Sequence, residues 1–480
     1  MEQPDAASLL PDDVLLMVMG YLDVEDLLAC RLVCKRFGAL AVHPDAWRRQ
    51  VLSCCAGAPT FSTALRFAPC LASLKISLPC WRDEMRLYRV TKCAVSKLEL
   101  WVGEEDTPDC LEQAGYIIRN QEALGRLKEL SVLLPLFKDM AVDVDGLVFR
   151  ALLRVVACTS GLEVLTVNMF DGVNTIPAPN VGRRAPRSSL KTFRCHLKPQ
   201  LVPFCEVVLA VHAHTLETVD FDFEGDFRFP TPEALPSVTT LASVLAGMPK
   251  LSSLHGCPLL SGLEAVAACE SLKEVSLFVG SGAGPAAVQG AADFLRRCKQ
   301  LREVTLTYSD EACVDNVAVD LVLALVSSGP SLVETLAIVV EEIELELPLP
   351  QMEPLSRALP RMPALRELVV RGLSDEVLVA ITPHTSPTLR NLYVYPANLE
   401  SASCAHHYLH LGSVANLLSK NPLLKLHVLT VYYCDPEYNP CTFCEIIDCH
   451  RKLWASEDAK LKEDEDPTTE PDIWITIPRL

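Results

Sequence analysis

Four cysteines and a histidine crowd the stretch CDPEYNPCTFCEIIDCH: Cys434, Cys441, Cys444, Cys449 and His450. Thiolate and imidazole are ligands that zinc takes, and Cys441-x-x-Cys444 has the spacing of half a tetrahedral site. A second C-x-x-C is missing, so buried thiols are the default reading and no metal is expected. His406, His407 and His410 put two rings at helical spacing. A surface or hydrogen-bonded core position accounts for them more simply than a metal or catalysis does. LFVGSGAGPAAV sets Gly280, Gly282 and Gly284 between a strand-like and a helix-like run. A dinucleotide site wants G-x-G-x-x-G there, and this is G-x-G-x-G, so a flexible loop without a cofactor is expected. No G-x-S-x-G, phosphate-binding loop or H-E-x-x-H occurs, and no nucleophile and base form a recognisable pair. The chain is expected not to be an enzyme.

With no catalytic set, the apolar pattern becomes the informative signal. Half of the 480 residues are apolar and 22% are charged, which is the composition of a folded protein. A net charge of −18 lacks the basic footprint of non-specific nucleic-acid binding, so no nucleic-acid partner is expected. MEQPDAAS has no basic start or apolar run of a secretory signal, and no apolar stretch reaches the ~18–20 residues of a spanning helix. The expectation is a soluble intracellular chain, cytoplasmic or nuclear, with no membrane partner. Its twenty cysteines would then be reduced and mostly buried.

The segment Ser8–Trp47 is apolar on nearly every face. Pro11 suits a helix start, with Val14, Leu15, Val18 and Leu22 at helical spacing up to about Leu22. Asp23 can cap a second helix holding Leu27 and Leu28, with Asp26 favourable in its first turn. A third is expected to carry Leu32, Val33 and Phe37, with Lys35 and Arg36 on its wet side. A short fourth follows Pro44 and contains Trp47. So few residues bury too little surface to be safely stable alone. Leu15, Leu22, Leu27 and Val33 can form a miniature core, leaving Leu10, Pro11, Leu28, Cys34 and Trp47 partly outside. An exposed apolar patch of this kind suits docking to a partner.

These residues resemble an F-box. Leu10-Pro11, Tyr21-Leu22, Asp26-Leu27-Leu28, Val33-Cys34-Lys35 and the closing Trp47 fall on that family's pattern, with Phe37 where many members carry Trp. The match covers residues 8–52, about a tenth of the chain. The resemblance implies binding to a Skp-type linker protein, and through it to a cullin, by way of Leu10, Pro11, Leu15, Leu22, Asp26, Leu27, Leu28, Val33, Cys34, Phe37 and Trp47.

Beyond it, a motif of Leu, two residues, apolar, one residue, apolar recurs. Clear copies start at Leu127, Leu162, Leu216, Leu272, Leu301, Leu365 and Leu389. Weaker ones start at Leu71, Val95, Leu190, Leu251 and Leu426, and the copy at Leu332 has one extra residue. Thirteen starts between residues 71 and 426, about one every 30 residues, are the signature of a leucine-rich-repeat solenoid. Each motif is a short strand and each interval a crossover, often helical, so an α/β fold of parallel strands is expected over residues 60–455. Cys269 and Cys298 sit three residues before a repeat leucine, where Met248 and Met362 stand in other copies, so the slot is a packing position.

In each strand the residues between the repeat apolars face the concave side. They include Glu274, Ser276, Phe278, Thr305, Thr307, Val369, Arg371, Asn391, Tyr393, Tyr395, Thr430 and Tyr432. Phe278, Arg371, Tyr393, Tyr395 and Tyr432 are the candidates for holding a protein substrate, Tyr and Arg being frequent anchors of interfaces. Tyrosine also fits strands without any such role. Two insertions stand out: the Pro-rich Asp171–Ser189, with Arg183, Arg184 and Arg187, and the acidic Glu341–Pro354. Residues 456–480 are acidic and expected to be disordered, apart from DIWITIP, which alternates like a strand. The resemblance to leucine-rich-repeat F-box proteins implies a substrate-recognition subunit of a Skp–cullin–F-box ubiquitin ligase. A non-degradative scaffold and an enzyme inhibitor remain open at this point.

Overall fold

The repeat leucine is the residue from which the ladder is built. In nine copies the strand begins two residues after it, as at Leu127 before Glu129 and Leu301 before Glu303. Every one of these leucines is buried. The computed structural model describes residues 10–53, 59–80, 82–103, 107–134, 145–169, 187–199, 201–221, 240–340, 349–371, 374–395, 411–430 and 473–476. The chain divides into two compact units, Met1–Phe223 and Glu224–Leu480. No helix among the described residues is long and apolar enough to cross a membrane.

The first unit opens with four short helices: α1 (Asp12–Met19), α2 (Val24–Val33), α3 (Lys35–Leu40) and α4 (Pro44–Trp47). Seven parallel strands follow in sequence order: β1 (Val51–Ser53), β2 (Cys70–Leu78), β3 (Ala94–Val102), β4 (Glu129–Leu134), β5 (Val164–Met169), β6 (Thr192–Cys195) and β7 (Thr218–Asp220). The pairing aligns Leu74, Leu98, Leu130, Leu165, Phe193 and Val219 into one buried row. Helices connect the strands, such as Thr107–Leu124 and Val202–His212.

The second unit repeats the scheme with β8 (Ser253–Pro258), β9 (Glu274–Val279), β10 (Glu303–Tyr308), β11 (Thr335–Val340), β12 (Glu367–Arg371), β13 (Asn391–Tyr395) and β14 (Lys425–Thr430), all parallel. Here Leu254, Val275, Val304, Leu336, Leu368, Leu392 and Leu426 form the buried row. Burying one such side chain contributes about 1.5–3 kcal/mol, and the row repeats the gain at each strand. A last strand, β15 (Ile473–Thr476), lies antiparallel on β14. Ile473–Thr476, inside the stretch that alternates like a strand, thus forms one.

All thirteen motifs become strands. One start moves: Leu332 is exposed, and Val333, two residues before β11, fills the buried slot. That accounts for the extra residue in this copy. Cys269, Cys298, Met248 and Met362 are all buried, as their interchange implies. The Cys269 thiol donates to the Leu245 carbonyl at 3.3 Å. The cysteines and histidines between Cys434 and His450, the histidines at 406, 407 and 410, Tyr432 and Arg183–Arg184 lie outside the described residues.

A candidate protein-docking face on the N-terminal helices

Local chemistry sets the helix boundaries. Pro11 directly precedes α1, whose first turn is acidic with Asp12 and Asp13. Asp23 caps α2, its Oδ1 accepting the Asp26 N–H at 2.8 Å. Cys34 then takes an extended conformation, ends α2 and caps α3, its Sγ accepting the Phe37 N–H at 3.4 Å. Leu32 and Val33 thus belong to the end of α2, not to a helix shared with Phe37.

That break decides which residues are inside. Leu15, Met19, Leu27, Leu40 and Trp47 form the core. Trp47 is fully buried, and its Nε1–H donates to the Ala41 carbonyl at 2.6 Å. This corrects the expectation that Trp47 sits partly outside: α4 follows Pro44 and packs against α1 and β2, turning the indole inward. Leu15, Leu27 and Trp47 are thus buried inside the helical cluster. Val33 moves the other way. It is 69% exposed, because the kink at Cys34 leaves the last turn of α2 facing solvent. Val18, at helical spacing with Leu15 and Leu22, is exposed as well, and Met19 is buried.

The remaining sequence-predicted residues divide between surface and support. Leu10, Pro11, Asp26 and Cys34 are exposed; Leu22, Leu28 and Phe37 are half-buried. The Leu22 carbonyl accepts from Gln50 Nε2 at 2.7 Å, tying the α1–α2 turn to the residue before β1. Arg36, expected on the wet side, instead fixes the start of the segment. Its Nε donates to Asp12 Oδ1 at 2.8 Å, and its Nη2 donates to the Leu10 carbonyl. Arg31 stacks over the Phe67 ring at 3.5 Å.

What remains open is a set of large apolar side chains, Leu10, Met17, Val18, Tyr21, Leu32 and Val33, with Tyr21 81% and Leu32 83% exposed. Helical spacing alone did not separate Met17, Val18 and Leu32 from core residues. The clue was surplus: the segment holds more large apolar side chains than four short helices can cover.

The sheet of the second unit offers a different surface. Tyr393 and His427 occupy facing register positions on β13 and β14 and stack with centroids 4.6 Å apart at 17°. Glu274, Glu303 and Glu367 line one row with Thr335 between the last two. Asn391 Nδ2 donates to Glu367 Oε1 at 3.0 Å, and Ser253 Oγ donates to Glu274 Oε2 at 2.8 Å. Partial burial and the neighbouring Glu274 and Glu367 carboxylates push the Glu303 acid up from its ordinary value. Two candidates for substrate contact are not on this open surface. Phe278 is buried, and Arg371 is only 7% exposed, its guanidinium donating to the Val340 carbonyl and lying near Asp310. Phe278 is next to last in β9 and Arg371 is the last residue of β12. Tyr393 and Tyr395 are half-buried on the same face.

Comparison with known proteins bears on the N-terminal helices. Residues 7–53 match the family of F-box-like domains, so the chain carries an F-box-like domain there. No curated protein sequence matches the chain. Among solved structures it is similar to a chain from the crystal structure of the Rad7 and Elc1 complex in yeast. Identity is 13%, the match covers 80% of this chain and 86% of that one, and the TM-score is 0.36.

Proposed function

We propose that the chain is the substrate-recognition adaptor of a Skp–cullin–F-box ubiquitin ligase. In this reading the F-box-like domain binds a Skp-type linker, which joins it to a cullin, and the repeats hold a protein substrate whose ubiquitination is thereby promoted. The observation that carries it is the group of exposed large apolar side chains Leu10, Met17, Val18, Tyr21, Leu32 and Val33 on helices that bury Leu15, Met19, Leu27 and Trp47. Large exposed apolar side chains on a well-packed base are suited to burial against a partner helix groove. The adaptor adds no chemistry of its own. It raises the effective concentration of substrate beside the transferring enzyme, and that alone speeds transfer. Such a role goes with a reducing compartment, cytoplasm or nucleus, in keeping with the buried thiols of the repeats.

The test is co-purification of the full chain with a Skp-type linker, beside a Leu32→Asp/Val33→Asp variant. Both side chains are exposed, so folding is retained while the docking face becomes charged. Capture by the native chain and a loss of roughly 100-fold or more in the variant are expected for central interface positions. A well-folded native chain that captures no linker, or equal capture by both chains, overturns the reading.

A further inference from the structure

A parallel ladder that simply stopped at β14 would leave a row of unpaired backbone N–H and C=O groups along its outer edge. The chain covers that edge with a segment far away in sequence. Ile473, Trp474, Ile475 and Thr476 pair antiparallel with Thr430, Leu429, Val428 and His427. Every other strand pair described in the unit is parallel and belongs to the repeat ladder, so β15 is an addition to the ladder and not one of its repeats. The register continues both rows of the sheet. Ile475 stands opposite Val428, at the end of a second buried row that runs through Leu277, Leu306, Ile338, Val370 and Val394. Thr476 stands opposite His427, beside the Tyr393–His427 stack.

We infer that the outer edge of β14 is a strand-acceptor site. Its resident occupant is the chain's own Ile473–Thr476, and an extended segment of a protein partner with the same alternation of β-branched and aromatic residues takes its place when that strand leaves. Strand addition draws affinity from main-chain hydrogen bonds and specificity from alternate side-chain positions, and I-W-I-T supplies such alternation. Among the described residues this strand is paired on one side, with β14, so it opens at a lower free energy than the strands paired on both sides. While it is seated, a competing segment meets only the small fraction of molecules whose edge is open, and its apparent affinity falls by that fraction. The inference stands independently of linker binding, because the edge lies in the second unit and the F-box-like domain in the first.

The probe is a fluorescent peptide of residues 471–478, PDIWITIP. It is titrated into the full chain, into a full-length Ile475→Pro variant and into a chain ending at Glu470. Proline removes a backbone donor from the strand. The peptide is expected to bind the variant and the shortened chain roughly ten-fold or more tightly than the native chain, and a peptide carrying Ile475→Pro to bind none of them. Amides of residues 426–430 in the full-length Ile475→Pro variant are expected to exchange hydrogen faster than in the native chain, a readout that needs no truncation. Self-association of the shortened chain that the peptide reverses also supports the site, a second copy then filling the edge. Equal peptide binding to all three chains, or unchanged exchange at 426–430 with no binding to the variant, overturns it. Linker capture is measured on the same samples, so a failure of the adaptor reading is seen separately.

Discussion

Trp47 and Ala41 are joined by an indole N–H donating to a backbone carbonyl at 2.6 Å, inside a domain of four short helices. The bond closes the turn between α3 and α4 and leaves the ring fully buried against α1 and β2. Because the interior of the F-box-like domain is so small, this one side chain is a large share of it.

Trp47→Ala is therefore expected to cost about 3–5 kcal/mol by opening a cavity that short helices cannot collapse to fill. Trp47→Phe keeps most of the packing but leaves the Ala41 carbonyl unpaired, at about 1–3 kcal/mol. Urea unfolding followed by far-ultraviolet circular dichroism gives the order. Equal stability of the alanine variant and the native chain would remove Trp47 from the core.

His212 sets a pH dependence for the first unit. It is buried, and its Nδ1 accepts the N–H of Ser189 at 3.2 Å and of Leu190 at 3.4 Å, so the ring is held neutral. Burial pushes its pKa down from 6.5 to about 4. Between these values the unfolded chain binds the proton and the folded one does not. The contribution is thus complete above about pH 6.5 and is lost as pH falls towards 4. His212→Gln should flatten that part of the stability profile, measured as melting temperature from pH 7 to pH 4.5. An unchanged slope would show that other groups set it.

Thiol reactivity should divide along burial. Cys34 is exposed at the cap of α3, whereas burial pushes the Cys257 and Cys298 thiols up to about 12. The thiolate is the reacting form, so at pH 8 iodoacetamide should label Cys34 first and reach Cys257 and Cys298 only when the chain unfolds. Peptide mapping by mass spectrometry follows the order. Early labelling of Cys298 would contradict a closed repeat interior.

The repeat ladder was legible because its cause is local and periodic. Each motif places apolar residues two apart on a strand, and each copy must stack its row on the next, so Leu98, Leu130 and Leu165 could be matched before any pairing was seen. Leu332 misled because a leucine next to a valine offers two starts, and the burial of Val333 selects one. Phe278 and Arg371 misled for a different reason. Alternation assigns a face, but not how far down a strand that face stays open.

The sequence by itself determined the F-box-like pattern, thirteen of the fourteen described parallel strands, the Asp23 cap and the packing role of the Cys–Met slot. All are set by residue type within one turn, one strand or one repeat. β1, which carries no repeat motif, came only with its pairing to β2. Three more things needed the tertiary structure. The extended backbone at Cys34 puts Leu32 and Val33 on the surface while Trp47 goes inside, since a four-helix core has room for only some of its apolar residues. Arg36 fastens the start of the segment across 26 residues to the Leu10 carbonyl. Ile473–Thr476 finds the edge of β14 because unpaired backbone groups there need partners, a demand that arises only once the ladder exists.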